Sequence, residues 1–353
     1  MKRPSLAVIT KKQGGDGVAY SGRLLERALA VIAQEQPQVI ALGSGLRARP
    51  TLVEQARFIG RIGLAQLQEP SAWWIFNHVG IARAQNLIPS AIRCPYAVLL
   101  CGIEAWDPKL SRGRKVALRR ASARIAISSH TAERVRSTHP DIGPIVVCPL
   151  ALLPQEPASE VDRLLLARVR ENSVLVIGRM SRSERYKGHD ELLECWKDVL
   201  AQVPAAQLVV VGTGDDVDRL RVKANALGIS GHTIFAGFVD DATLSALREV
   251  VALFALPSRG EGFGLVFLEA MRAGLACLGG TEDAAGDVIL HERTGVLVDP
   301  SNRTALANAL VRLLTNRELR TAYGTAGRKR FEETFTFEHY CSRLRDVLEA
   351  TVA

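Results

Sequence analysis

Two carboxylates, Glu261 and Glu269, bracket the glycines Gly262 and Gly264 in the stretch Arg259-Gly-Glu-Gly-Phe263-Gly-Leu265-Val-Phe-Leu-Glu269. A carboxylate only accepts hydrogen bonds, so a pair of them suits the vicinal hydroxyls of a ribose or a hexose. An apolar run from Val251 to Leu256, closed by Pro257 and Ser258, precedes the stretch, and an apolar-periodic segment from Leu265 to Ala273, ended by Gly274, follows. The spacing predicts a strand, a Gly-rich turn and a helix N-terminus. There the unpaired amides and the positive end of the helix dipole can hold an anion, and glycines let a phosphate come close to the backbone. The ligand this chemistry describes carries a diphosphate in the middle and a polyol at each end. The competing reading makes Glu261 a turn cap and Glu269 a solvated helix residue.

A second strand and turn add cations. Ser173 to Gly178 reads as a buried strand with Arg179 at its C-terminal end, and Tyr186-Lys187-Gly188-His189-Asp190 leads into a helical pattern from Glu191 to Val203. Arg179 offers a planar fork of donors and Lys187 a mobile point charge, so the two can neutralise a departing diphosphate. Arg182, Glu184 and Arg185 share the stretch, which leaves a merely charged surface loop as the alternative.

The elements that would position these residues recur along the chain. Apolar β-type runs lie at 5–10, 39–43, 73–77, 96–101, 123–128 and 145–150, and again at 173–178, 207–212, 232–236, 251–256, 275–278 and 295–298, with helix-like segments between them. Six strands and then six more, each alternating with helices, predict an α/β chain of two doubly wound parallel-sheet domains. The 353 residues also exceed one ordinary domain. The expected domains are 1–165 and 166–336, joined near Leu153-Pro154-Gln155-Glu156-Pro157.

Gly178-Arg179, Lys187-Gly188, Val211-Gly212-Thr213-Gly214, Phe235 to Val239 and Pro257 to Glu269 resemble, in order and spacing, the retaining GT-B glycosyltransferases of family 4. The resemblance runs through residues 173–300. It is looser in the first half, at Gly14-Gly15 after the first strand and at Gly102-Ile103-Glu104-Ala105-Trp106 after a later one. It implies two Rossmann-like domains facing a central cleft, with a last helix, 337–353, packed back on the first domain. It further implies a hexosyltransferase that moves a hexose from a UDP- or GDP-linked sugar, with no cofactor and no metal, to a saccharide or lipid-linked acceptor in cell-envelope or exopolysaccharide synthesis. On this resemblance Arg179, Lys187 and Glu261 are the catalytic set. Gly14, Gly15, Gly178, Val239, Gly262, Phe263, Gly264, Leu265 and Glu269 contact the donor.

One departure stands out. Relatives commonly end the strand equivalent to Tyr96–Cys101 in a His that contacts the transferred sugar, and here the position holds Cys101. A thiol donates poorly and does not replace an imidazole. His78, His130 and His189 are the candidates to fill the gap, His78 first because it also ends a strand; His78, Cys101 and Glu104 are the candidate acceptor or sugar contacts. The departure also admits a catalytically impaired sugar-nucleotide-binding or scaffold subunit. A nicotinamide-dependent enzyme ranks last, since no GxGxxG follows the first strand.

Charge separates the halves. Residues 1–165 carry 22 Lys and Arg against 12 Asp and Glu, whereas 166–353 carry 23 against 25. The densest basic run is Arg112, Arg114, Lys115, Arg119, Arg120 and Arg124, a face suited to anionic lipid headgroups or to no partner at all. Nucleic acid is disfavoured, because no binding motif occurs and aromatics are only 5% of the chain. No apolar run is long enough to cross a membrane, and Lys2-Arg3 leads straight into a strand. The six cysteines show no CxxC pairing, as expected of reduced thiols. These features predict a cytoplasmic protein, peripheral at most on the inner face of the membrane. Asp216-Val217-Asp218 is read as the acidic start of a helix and not as a metal-binding pair, and Asp283 and Asp287 likewise as helix-start acids.

Overall fold

The structure, a computed structural model, describes residues 4–10, 17–43, 50–70, 73–155 and 160–352. Gly14 and Gly15 lie outside the described residues. All twelve expected strands form, because a strand buried on both faces of a parallel sheet reads as a continuous apolar run. The first sheet holds β1 (Pro4–Thr10), β2 (Gln38–Gly43), β3 (Trp73–Phe76), β4 (Tyr96–Leu100), β5 (Ala123–Ala126) and β6 (Val146–Val147). The second holds β7 (Ser173–Ile177), β8 (Gln207–Val211), β9 (Thr233–Gly237), β10 (Leu253–Leu256), β11 (Cys277–Gly280) and β12 (Gly295–Val298).

Every strand pairing is parallel, in the orders β2-β1-β3-β4-β5-β6 and β12-β11-β10-β7-β8-β9. In each sheet the chain winds outward from its first strand and then restarts on that strand's other side. The carboxyl ends of β1 and β3, and of β7 and β10, are therefore topological switch points, where open α/β sheets bind ligands.

Packing divides the chain into two compact units, Met1–Leu153 with Thr336–Ala353, and Pro154–Phe335. The second unit thus begins at Pro154, twelve residues before the start at 166 that the sequence predicts. There the Asp162 N–H donates to Thr243 Oγ1 at 2.9 Å, and Asp162 caps the short helix Arg163–Leu166. The last helix, Phe337–Val352, packs on Gly17–Ala33 in the first unit, and Arg343 donates to the Pro149 carbonyl at 3.1 Å. Trp74, Phe76 and Tyr96 fill the core of the first unit. Trp196, Phe254 and Phe267 are buried in the second, each such side chain contributing roughly 1.5–3 kcal/mol.

The basic run is smaller than the sequence suggests. Arg112–Arg120 is a helix, but Arg124 lies on β5 and is buried, its guanidinium donating to the carbonyls of Leu118 (2.7 Å), Ala121 (2.8 Å) and Pro144 (2.9 Å). A strand residue cannot continue the helix face, so Arg124 is a structural clamp. Arg119 is spent on Asp141.

Candidate functional site

The two motif loops of the second unit leave neighbouring strands at the β7/β10 switch point. Gly178 and Arg179 follow β7. The Val211–Gly214 turn rises against them so closely that a Cβ on Gly212, at φ +135°, would stand 2.1 Å from the Gly178 carbonyl oxygen. The loop then runs through a 3-10 turn, Arg182–Lys187, into the helix His189–Gln202. Gly188, at φ +82°, touches the other loop: a Cβ there would lie 2.4 Å from the Pro257 carbonyl oxygen. Any other residue would push the loops apart.

That approach joins the predicted residues. Lys187 Nζ donates to Glu261 Oε2 at 2.9 Å, both side chains about four-fifths buried. Burial disfavours the Lys187 ammonium, but the Glu261 carboxylate outweighs it and raises the pKa, so Lys187 stays charged. The Arg259 N–H donates to the Tyr186 carbonyl at 2.9 Å, a second tie between the loops. Gly264, left-handed at φ +90°, starts the helix Leu265–Arg272, whose first-turn amides no side chain caps. Phe254 and Phe267, edge to face at 5.4 Å, lock that helix onto β10.

Asp283 organises the turn from behind. Its Oδ2 accepts from Ser258 Oγ and from the Glu261 N–H (3.1 Å), and its Oδ1 from the Ala285 N–H (2.9 Å). The sequence marks Asp283 as a helix-start acid; the structure adds that it holds the backbone of Glu261. On the other side Asp216 clamps the Lys187 loop. Arg185 bonds it through Nε (2.9 Å) and Nη2 (3.0 Å), and Arg219 bridges it to Asp190. The Arg219 hydrogen bonds hold the Asp216 carboxyl well below the usual range, and both its oxygens are committed to arginines.

Other predicted residues are placed differently. Arg179 pairs with Glu184 of its own loop at 3.3 Å, and not with Glu261. Glu269 pairs with Arg248, whose side chain is 7% exposed and whose Nε is buried with no hydrogen-bond partner among the described residues. Burial raises the Glu269 carboxyl despite that cation. The Phe263 ring is buried against Phe335, so only its backbone can meet a ligand. Val239 is buried beside the exposed Phe238. In the first unit His78 Nδ1 accepts from the Gly80 N–H (2.8 Å) and so caps the short helix Val79–Ala82, whereas Glu104 Oε1, within the short helix Ile103–Trp106, accepts from the Cys101 N–H (2.8 Å). Cys101 Sγ lies 3.5 Å from the Asn77 carbonyl, at the β1/β3 switch point. His189 is buried, and burial followed by the Lys187 charge lowers it to about 4, so it is neutral at ordinary pH.

Arg248, Ser258 and Tyr186 escaped the sequence reading. Arg248 sits in the last turn of the helix Asp241–Val250, with no local sign that it faces Glu269. Ser258 and Tyr186 read as a turn residue and a loop aromatic.

Residues 165–330 match the family described as glycosyl transferases group 1. The second unit is a glycosyl transferases group 1 domain. Among curated proteins the chain is 31% identical over 200 residues to a GDP-mannose-dependent alpha-(1-6)-phosphatidylinositol monomannoside mannosyltransferase of Mycobacterium tuberculosis, covering 55% of this chain and 51% of that one. It is 39% identical over 160 residues to a phosphatidyl-myo-inositol mannosyltransferase of the same species, covering 44% of this chain and 41% of that one. The chain spans about half the length of the curated relatives it matches. Among solved structures, HepE of Anabaena in complex with UDP and glucose superposes with a TM-score of 0.76 at 17% identity, over 98% of this chain and 99% of that one. A sucrose-phosphate synthase of Thermosynechococcus elongatus gives 0.79 at 18% identity, over 99% of both chains. The fold is accordingly GT-B, two Rossmann-like parallel sheets in tandem.

Within the glycosyl transferases group 1 domain, Asp283 makes a pH prediction. Burial raises its carboxyl to about 6, against hydrogen bonds that favour the ionised form. Its contribution to stability is fully present below the unfolded carboxylate pKa, near 4, and is lost as pH climbs through about 6. Melting temperature followed from pH 4 to 7 should show this loss in the native chain and not in Asp283→Asn; parallel profiles would remove Asp283 as its source.

Proposed function

We propose that the chain is a retaining glycosyltransferase that moves a hexose from a nucleotide diphosphate sugar to a saccharide or lipid-linked acceptor. The observation that carries this reading is the Lys187–Glu261 contact at the β7/β10 switch point, beside the uncapped N-terminus of Leu265–Arg272. Lys187 and Arg179 would neutralise the diphosphate, helped by amides of Phe263, Gly264 and Leu265. Glu261 would hold donor-sugar hydroxyls, Glu269 the ribose, and the backbone near Val239 the base. In the transfer the anomeric C–O bond to the diphosphate breaks and a bond from the same carbon to the acceptor oxygen forms. The acceptor proton passes to the departing phosphate, and attack on the face the diphosphate leaves keeps the configuration. No metal is needed, since Lys187 and Arg179 supply the positive charge. The GDP-mannose-dependent and phosphatidylinositol-directed relatives support a GDP-linked mannose donor and a lipid-linked acceptor. No helix among the described residues is long and apolar enough to cross a membrane; a peripheral place on an anionic membrane is part of the proposal.

The test is a donor panel, GDP-mannose, UDP-glucose and UDP-N-acetylglucosamine, without added metal. Turnover of one donor, with the product anomer matching it by proton NMR, is expected. Binding of donor without transfer or hydrolysis would favour the impaired binding subunit that Cys101 admits.

A further inference from the structure

Tyr186 lies in the loop that runs from Arg179 to Lys187, and its side chain is half-buried. Arg185 before it is bound to Asp216, Lys187 after it to Glu261, and its own carbonyl accepts from the Arg259 N–H at 2.9 Å. The backbone that carries the ring is therefore held from both motif loops. The ring itself lies against Gly260: a Cβ on that glycine would stand 2.9 Å from Cδ2, 3.1 Å from Cε2 and 3.2 Å from Cγ of Tyr186. Gly260 has no positive φ, so its missing side chain serves this contact and not a special backbone shape. Lys187 Nζ is 5.8 Å from the ring centroid, within range of a cation–π attraction.

The hydroxyl end of the ring carries the chemistry. Burial raises its pKa, so it keeps its proton, and the charges that act on it are those of Lys187, Glu184, Glu261 and Arg179. The hydroxyl thus stands among the four side chains of the two ion pairs, Lys187–Glu261 and Arg179–Glu184. A phenol donates one hydrogen bond, and donation to an anionic oxygen is shorter and stronger than to a neutral one. A diphosphate spreads its charge over oxygens that point in different directions, so a third donor beside the two cations adds a contact that neither replaces. The seat on Gly260 restricts the ring before any ligand arrives, which lowers the entropy lost on binding.

We propose that Tyr186 is a third diphosphate-binding side chain, its hydroxyl donating to an oxygen of the leaving group beside Arg179 and Lys187 while Gly260 seats the ring. The inference rests on the transfer reading for the identity of the ligand, and deepens it by one residue.

The test is calorimetric titration of the full chain, native and Tyr186→Phe, with GDP, UDP and their parent nucleosides. Tyr186→Phe removes one oxygen and keeps the ring. It should weaken whichever diphosphate the native chain binds by about tenfold and leave the nucleoside unchanged. Gly260→Ala, which forces the ring aside, should weaken the diphosphate by a similar factor in the native background and hardly at all in Tyr186→Phe, the non-additivity of groups in contact. Diphosphate affinity unchanged in Tyr186→Phe, equal losses for diphosphate and nucleoside, or losses that simply add in the double variant would overturn the proposal and leave the transfer reading in place. A native chain that binds neither diphosphate would sink both.

Discussion

Lys187→Ala should lower kcat for donor turnover by about 10²–10³-fold, the scale found when one preorganised donor to a developing oxyanion is removed. The charge on a leaving diphosphate grows through the transition state, so the loss belongs to kcat more than to donor affinity. The same change leaves Glu261, only 21% exposed, facing no cation. An acceptor so stranded costs about 1–3 kcal/mol, so the variant must also melt earlier. Lys187→Met keeps the aliphatic stem and removes only the charge. If kcat falls equally in both variants, the charge is responsible; if Lys187→Met turns over normally, it is not.

Glu269→Ala carries the second large effect, on two separable scales. Its partner Arg248 is buried and has lost one hydrogen-bonding option already at Nε. Removing one member of a largely buried ion pair costs several kcal/mol, here roughly 2–4 because Glu269 keeps some exposure. For a unit of this size that is a fall in Tm of roughly 5–15 °C. If Glu269 also holds the ribose, losing charge-assisted hydrogen bonds raises the donor Kd about 10–100-fold. The double variant Arg248→Leu/Glu269→Leu separates the two roles. Replacing both partners with apolar side chains should restore much of the stability, while donor affinity stays lost. Affinity that returns along with Tm would make Glu269 a structural residue alone.

How far the sequence reaches is set by whether a feature is local. The strands were legible because burial on both faces leaves nothing but apolar residues, as in Leu208 to Val211. β6 shrank to Val146–Val147 because Pro149 follows closely and cannot donate to a ladder. Gly264 and Gly188 could be read as loop and cap signals from type alone. The Lys187–Glu261 contact could not: the two residues are joined only because β10 returns beside β7, a matter of strand order and not of spacing. The switch-point rule, applied to the loops after those strands, is the signal that would have paired them. Arg248 and Asp283 were invisible as site residues for the same reason, since each acts on a carboxylate or an amide from another element. Arg124 misled because charge was counted along the sequence while the helix ended at Arg120.

The most direct test of the account is calorimetric titration of the full chain with GDP and UDP, each beside its parent nucleoside. If Lys187 and Arg179 grip a diphosphate at the β7/β10 switch point, one diphosphate binds at least about 100-fold more tightly than its nucleoside, roughly 2.7 kcal/mol, and the gap closes in Lys187→Ala/Arg179→Ala. Equal affinity for nucleoside and diphosphate, or a gap that survives the double substitution, would contradict it.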